Sequence, residues 1–274
     1  MTAPIQFVEI ASAGQLLRIE HQWITRERDD LPLVVFLHEG LGSVSMWKGF
    51  PQLACEAAGC RGLVYSRPGY GRSTPRRPDE SWTIDFMHRQ AHDVLPALLH
   101  ALGVDAGTAS VSDRPWLFGH SDGGSIALLH AAQFPDQVAG VIVMAPHIKV
   151  EEFGLVSIRA AREAYRHGTL RDGLARHHDD PDSAFNGWND IWLDPAFTAW
   201  NIEAELASIR CPLLAVQGED DPYGTMAQID GIPARAPQTE LVKLASCGHS
   251  PHRDQAQAMI KATSRFIQRH PSWT

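Results

Sequence analysis

Six short apolar runs punctuate the chain at residues 33–37, 63–65, 116–118, 138–145, 213–216 and 241–244, and they hardly alternate with polar residues. A strand with one wet face alternates. A strand covered on both faces reads as a continuous apolar run. Most of these runs are also too short to be helices. They therefore predict a parallel sheet sandwiched between helices. Helical patterns fall between them. Residues 83–102 carry Ile84, Met87, Ala91, Val94, Leu95, Leu98 and Leu102 near a 3.6-residue period, and Gly103 supplies a stop. Residues 125–134 form a second pattern ending at Pro135, and 254–268 a third. Residues 5–25 alternate around Ser12-Ala13-Gly14, the mark of an antiparallel hairpin. The expectation is an α/β fold: a doubly wound, mostly parallel sheet of eight strands.

One segment breaks the alternation. From 148 to 207 the sequence shows no strand. It shows helical stretches at 155–167, ending at Gly168, then at 169–177, 182–193 and 195–201, the last with Asp194 as N-cap and Pro195 in the first turn. That is too long for a simple crossover. It predicts a helical cap, 148–207, inserted into a core formed by 1–147 and 208–274 and lying over the sheet's C-terminal edge.

Among 274 residues, 44% are hydrophobic and the formal net charge is −8. No run of Lys and Arg is long, which argues against nucleic acid as a partner. No apolar stretch reaches the ~18 residues of a membrane span. The first six residues show neither a basic nor an apolar leader, so a cytoplasmic location is expected. Cys55, Cys60, Cys211 and Cys247 are scattered in apolar or small-residue surroundings, as reduced, buried thiols would be. His177-His178-Asp179-Asp180 reads as a solvated loop, because adjacent side chains seldom point at one ion. No metal and no cofactor is expected.

The chemistry is carried by Gly119-His120-Ser121-Asp122-Gly123, set between an apolar run and a helical pattern. Gly-x-Ser-x-Gly on a tight strand-to-helix turn lifts a serine hydroxyl above the sheet edge. The pattern alone turns up by chance in about one chain in ten of this length, so it needs partners. A serine nucleophile requires a base, and the base an orienting acid. Glu219, Asp220 and Asp221 follow the run 213–216, and Asp221 is preferred because Pro222 restricts the backbone there. His249 follows the run 241–244 behind Gly248 and is preferred over His252. Oxyanion donors are expected from the backbone N–H of Asp122 and from the loop His38–Ser43, with Gly40 first and Leu41 second.

Taken in order, His38-x-Gly40, Ser66-Arg67-Pro68-Gly69-Tyr70-Gly71-Arg72-Ser73, the 119–123 turn, Gly218-x-x-Asp221-Pro222 and Gly248-His249 resemble the α/β-hydrolase superfamily over nearly the whole chain. Ser66 stands where an aspartate is usual, and Glu39 where glycine is common. The chain is similar to the esterase, enol-lactonase and ring-cleavage-product hydrolases and to the biphenyl-hydrolase-like group. The resemblance implies a serine hydrolase of small carboxylic esters, thioesters or lactones. The alternatives are a C–C bond hydrolase of ring-cleavage products and a non-enzymatic ligand receptor. The expected partner is a small acyl substrate, with a homodimer left open. His147, Trp188 and Trp192 are candidate substrate contacts. Arg159, Arg162, Arg166, Arg171 and Arg176 of the cap read for the most part as its solvated face, with a few of them lining a pocket for a carboxylate-bearing acyl group as the sharper alternative.

Overall fold

The computed structural model describes residues 4–104 and 114–270. The chain opens with a hairpin, β1 (Gln6–Ser12) and β2 (Gln15–Ile24), paired from Gln6 opposite His21 to Ser12 opposite Gln15. Ala13 and Gly14 at its tip both have positive φ, 48° and 75°, the twist that a two-residue connection needs. There follow β3 (Leu33–Leu37), α1 (Phe50–Ala58), β4 (Arg61–Tyr65), α2 (Phe86–Arg89), α3 (Leu95–Ala101), β5 (Trp116–His120), α4 (Asp122–Gln133) and β6 (Gly140–Met144). Then come α5 (Glu152–His167), α6 (Leu170–Leu174), α7 (Pro181–Trp192), β7 (Leu213–Gly218), α8 (Ala227–Asp230), β8 (Thr239–Leu244), α9 (Pro251–Asp254) and α10 (Ala256–Arg269).

The eight strands form one sheet in the order β1-β2-β4-β3-β5-β6-β7-β8. Only the β1–β2 and β2–β4 pairs are antiparallel. Val35, Leu37, Leu117, Val141 and Val143 point into one core with α3 and α4. Their neighbours Val34, Phe36, Phe118, Ile142 and Met144 point into a second core with α1 and α10. Both faces need apolar side chains, so these strands carry almost no polar alternation.

Four elements differ from the sequence expectation. β8 is an edge strand whose residues run from half-buried to exposed, so its apolar run covers only one face. The pattern at 83–102 is not one helix: a π-helical turn, Gln90–Val94, separates α2 from α3. Pro96 explains it. Proline has no N–H to donate, and its ring crowds the carbonyl four residues back, so the chain widens ahead of it. The pattern at 254–268 divides at Gln255, whose φ of −138° and ψ of 52° end α9 before α10 begins. Residues 195–199 form a 3-10 turn, capped by Asp194 through a 2.8 Å bond from the Ala196 N–H.

Between β6 and β7 the only strand-like pairing among the described residues is one antiparallel bridge, Lys149 to Asn201. It ties the two ends of the helical segment together. Two backbone bonds flank it, Val150 N–H to the Trp200 carbonyl and Ile202 N–H to the Ile148 carbonyl. All four cysteines are buried and unpaired. Among the described residues no helix is long and apolar enough to cross a membrane, and no group of three or more His, Cys, Asp or Glu is placed to hold a metal ion.

Candidate active site

β4 lies on one side of β3 and β5 on the other. Connections leaving the C-terminal ends of β3 and β5 therefore diverge, which opens a crevice at that edge. Both loops singled out in the sequence sit there. The chain turns from β5 into α4 at Ser121, whose φ of 51° and ψ of −121° are strained for a residue with a Cβ. The turn closes by bonds to the Ser121 carbonyl from the N–H groups of Gly124 and Ser125, at 2.8 and 3.0 Å. A Cβ on Gly119 would lie 2.6 Å from Gly124 Cα, and one on Gly123 would lie 2.6 Å from the His38 carbonyl oxygen. Glycine is thus what lets the first turn of α4 press against the end of β3.

Asp221, just beyond β7, and His249, beyond β8, meet at the same edge. His249 Nδ1 lies 2.9 Å from both carboxylate oxygens of Asp221. Asp221 also accepts from the Tyr223 N–H at 2.9 Å and the Gln217 amide at 3.3 Å. Burial alone would raise the Asp221 carboxyl; the bond from His249 and the Tyr223 N–H outweigh it and hold it below its ordinary value. Burial lowers the His249 imidazole, against the opposing pull of Asp221. Glu219 and Asp220 are exposed. His252 is buried among Trp47, Phe50 and His120, with ring centroids 5.2, 5.5 and 5.0 Å away. It faces the second core rather than the crevice. No hydrogen bond joins the Ser121 hydroxyl to His249 among the described residues, but both line one cavity.

That cavity has a volume of about 190 Å³. Gly40, Leu41, Asp122, His147, Trp188 and Trp192, all expected at the site, line it, and Glu39, His120, Ile158, Tyr223 and Ser250 complete it. Trp188 packs so closely on Gly40 that a Cβ there would collide with its indole. The Glu39 carbonyl accepts from His38 Nδ1 at 2.7 Å, from Arg67 Nη2 at 2.9 Å and from the Gly42 N–H at 3.0 Å. Asp122 is fully buried. Its carboxylate accepts from Trp192 Nε1 at 3.2 Å and stands 3.8 Å from Arg67 Nη2. Burial pushes it up to about 6, against the pull of Arg67 and Trp192. His147 packs its ring 4.9 Å from Trp192, and burial, aided by His249, takes it down to about 3.

None of the five arginines singled out in 148–207 lines the cavity. Arg159 pairs with Glu152, Arg162 with Asn189 and Asp190, and Arg171 with Asp182; Arg166 and Arg176 are exposed. The lining instead holds two acidic residues, Asp122 and Glu39, the latter beside His120 Nδ1 at 3.5 Å. Burial would raise the Glu39 carboxyl; His120, with His38 and His252 nearby, holds it far below the usual range. His120 in turn donates from Nε2 to the His249 carbonyl at 2.7 Å. The sequence signal for Glu39 was its place where glycine is common. Nothing local marks Tyr223 or Ile158.

The loop at 177–180 is not simply solvated. His178 is buried, accepts the Gly71 N–H at Nδ1 (2.9 Å) and donates from Nε2 to the Leu41 carbonyl (3.0 Å). It latches the segment after α6 onto the loop after β3, a tertiary contact that adjacent-residue reasoning does not reach.

The profile of the alpha/beta hydrolase family matches residues 34–262. The serine hydrolase BPHL of Homo sapiens is 25% identical over 218 residues, covering 75% of this chain and 69% of the human protein. The 2-hydroxy-6-oxo-6-phenylhexa-2,4-dienoate hydrolase of Burkholderia cepacia is 24% identical over 263 residues, covering 85% of this chain and 87% of that one. Among solved structures, the enol-lactonase from Burkholderia xenovorans LB400 superposes with a TM-score of 0.73 at 20% identity, covering 95% of this chain and 99% of its own.

Proposed function

The chain belongs to the alpha/beta hydrolase family, and from that premise we propose that it is a serine hydrolase cleaving a small, uncharged carboxylic ester, thioester or lactone through an acyl-enzyme on Ser121. One observation carries the reading. A serine held in strained geometry at the head of α4 shares a single cavity with a histidine bonded at 2.9 Å to a buried carboxylate.

His249 takes the Ser121 proton as the oxygen attacks the acyl carbon, and Asp221 steadies the imidazolium that forms. The tetrahedral oxyanion rests on the N–H groups of Asp122 and Gly40. His249 returns the proton to the leaving group. Water then repeats the sequence to release the acid, and Ser121 is regenerated. Residues 148–207 act as the cap that shapes the acyl site through Ile158, Trp188 and Trp192.

The charge of the cavity narrows the substrate. No Lys or Arg lines it, and Glu39 does. An acyl group bearing a carboxylate would find no counter-ion and would face a like charge at low dielectric. The relative that acts on a dienoate has an anionic substrate by name, and this cavity is not suited to one. A panel of chromogenic acetyl, butyryl and hemisuccinyl esters, run beside a vinylogous diketone acid, tests the reading. Turnover of the neutral esters, more than tenfold faster than of the anionic one and lost in Ser121→Ala and His249→Ala, is expected. Faster cleavage of the diketone acid would replace ester chemistry with C–C hydrolysis. Binding of these compounds without turnover of any would point to a receptor.

A further inference from the structure

Arg67 is fully buried in the loop after β4, does not line the cavity and has no step in acyl transfer. Its Nε and Nη1 have no partner among the described residues, and leaving such groups dry is costly. Buried charge of this kind is weak evidence of a stabilising role. We propose that Arg67 is a positioning residue that sets both oxyanion donors at once; the proposal rests on the acyl-transfer reading of Ser121.

The geometry begins with one peptide plane. A trans peptide carries its C=O and N–H on opposite sides, and the described residues contain no cis bond. The Glu39 carbonyl is pinned by three donors, Arg67 Nη2, His38 Nδ1 and the Gly42 N–H. The Gly40 N–H of the same peptide is thereby turned away from Arg67, and Gly40 lines the cavity. This choice favours Gly40 over Leu41 as the donor. Arg67 acts twice in the arrangement. Its own backbone N–H donates to His38 Nε2 at 2.9 Å, which leaves the His38 proton on Nδ1, where it bonds Glu39.

The second donor belongs to Asp122. Its carboxylate is held between Trp192 Nε1 at 3.2 Å and the same Arg67 Nη2 at 3.8 Å. One guanidinium nitrogen therefore stands between the carbonyl behind the Gly40 amide and the side chain of the residue that offers the other amide. The guanidinium carbon lies 4.6 Å from the Tyr70 ring centroid, which fixes its plane. A lysine, with a flexible point charge, would lack the plane packed against Tyr70 that aims this nitrogen.

The test is Arg67→Met beside Arg67→Lys, with active sites counted by phosphonate titration so that rates are per folded site. The proposal expects per-site kcat to fall about 10- to 100-fold in both, the scale of weakening one oxyanion donor. KM should stay within about twofold. Affinity for an ester-derived trifluoromethyl ketone should fall in step with kcat/KM, while affinity for the product acid holds. A purely structural role would lower the number of active sites and the unfolding midpoint and leave per-site kcat unchanged; that result overturns the proposal. If neither variant folds, a crystal structure of the wild-type phosphonate adduct decides. The phosphoryl oxygen should lie about 2.7–3.1 Å from the Gly40 and Asp122 nitrogens. An oxygen seated on the Leu41 nitrogen overturns the proposal. A wild-type protein that neither turns over an ester nor takes the phosphonate would instead remove the acyl-transfer reading beneath it.

Discussion

Replacing Asp122 by Asn separates the electrostatics of this site from its chemistry. In the folded protein the carboxyl titrates at about 6, against 3.8 for an ordinary aspartate, because burial outweighs the help of Arg67 and Trp192. An acid whose pKa is raised by folding holds its proton in the native state while the unfolded chain has lost it. The contribution of Asp122 to stability is therefore greatest below pH 3.8 and falls as pH rises through the window up to about 6. At 1.36 kcal/mol per unit, the ionised carboxylate costs about 3 kcal/mol once the pH is well above 6. Between pH 5 and pH 8 alone, the wild type should lose about 1.4 kcal/mol relative to a neutral residue. Asn keeps an oxygen for the Trp192 indole and keeps the backbone N–H. Urea unfolding of both proteins at pH 5 and pH 8 measures the difference directly. The variant should gain on the wild type as pH rises. A difference that stays constant from pH 5 to pH 8 would mean that burial does not raise the Asp122 carboxyl, and would refute the reasoning.

Two further outcomes follow from the same contacts. The base must be neutral to take the serine proton, and burial holds His249 below its ordinary 6.5, so kcat/KM should be lost as pH falls through a midpoint under 6.5 and stay level from there to pH 8; a midpoint above 7 in a pH–rate profile would contradict the buried setting. His178→Ala leaves the Gly71 N–H and the Leu41 carbonyl without their partner, which should cost about 2 kcal/mol in urea unfolding and raise KM as the segment after α6 loosens; unchanged stability would mean that the latch does not hold.

Much of the fold was readable because its causes are local. Strands covered on both faces need apolar side chains at every position, so β3 to β7 announced themselves as continuous runs. The turn at Ser121 needs Gly119 and Gly123, and those glycines are visible in the sequence. The misreadings came where one residue acts against its own pattern or where the cause lies elsewhere in the chain. Pro96 widens an otherwise regular helix, and β8 has the composition of an interior strand but an edge position. At the site, the sequence supplied His249 and Asp221, each from a loop after a strand. It could not supply the work of Arg67, His178 or Glu39. Their partners stand 28, 137 and 81 positions away, at Glu39, Leu41 and His120. The arginines of 148–207 keep to their own surface: Arg159, Arg162 and Arg171 bond carboxylates and an amide of that segment, Arg166 and Arg176 are exposed, and no Lys or Arg lines the cavity.

The central claim is that Ser121 is a nucleophile activated by His249. Incubation with a fluorophosphonate, followed by peptide mass spectrometry, tests it without knowledge of the natural substrate. The account predicts one adduct, on the peptide containing Ser121, forming more than a hundredfold more slowly in His249→Ala, absent in Ser121→Ala, and matched by loss of ester turnover. A well-folded wild type that takes no label, or takes it on another residue, would contradict it.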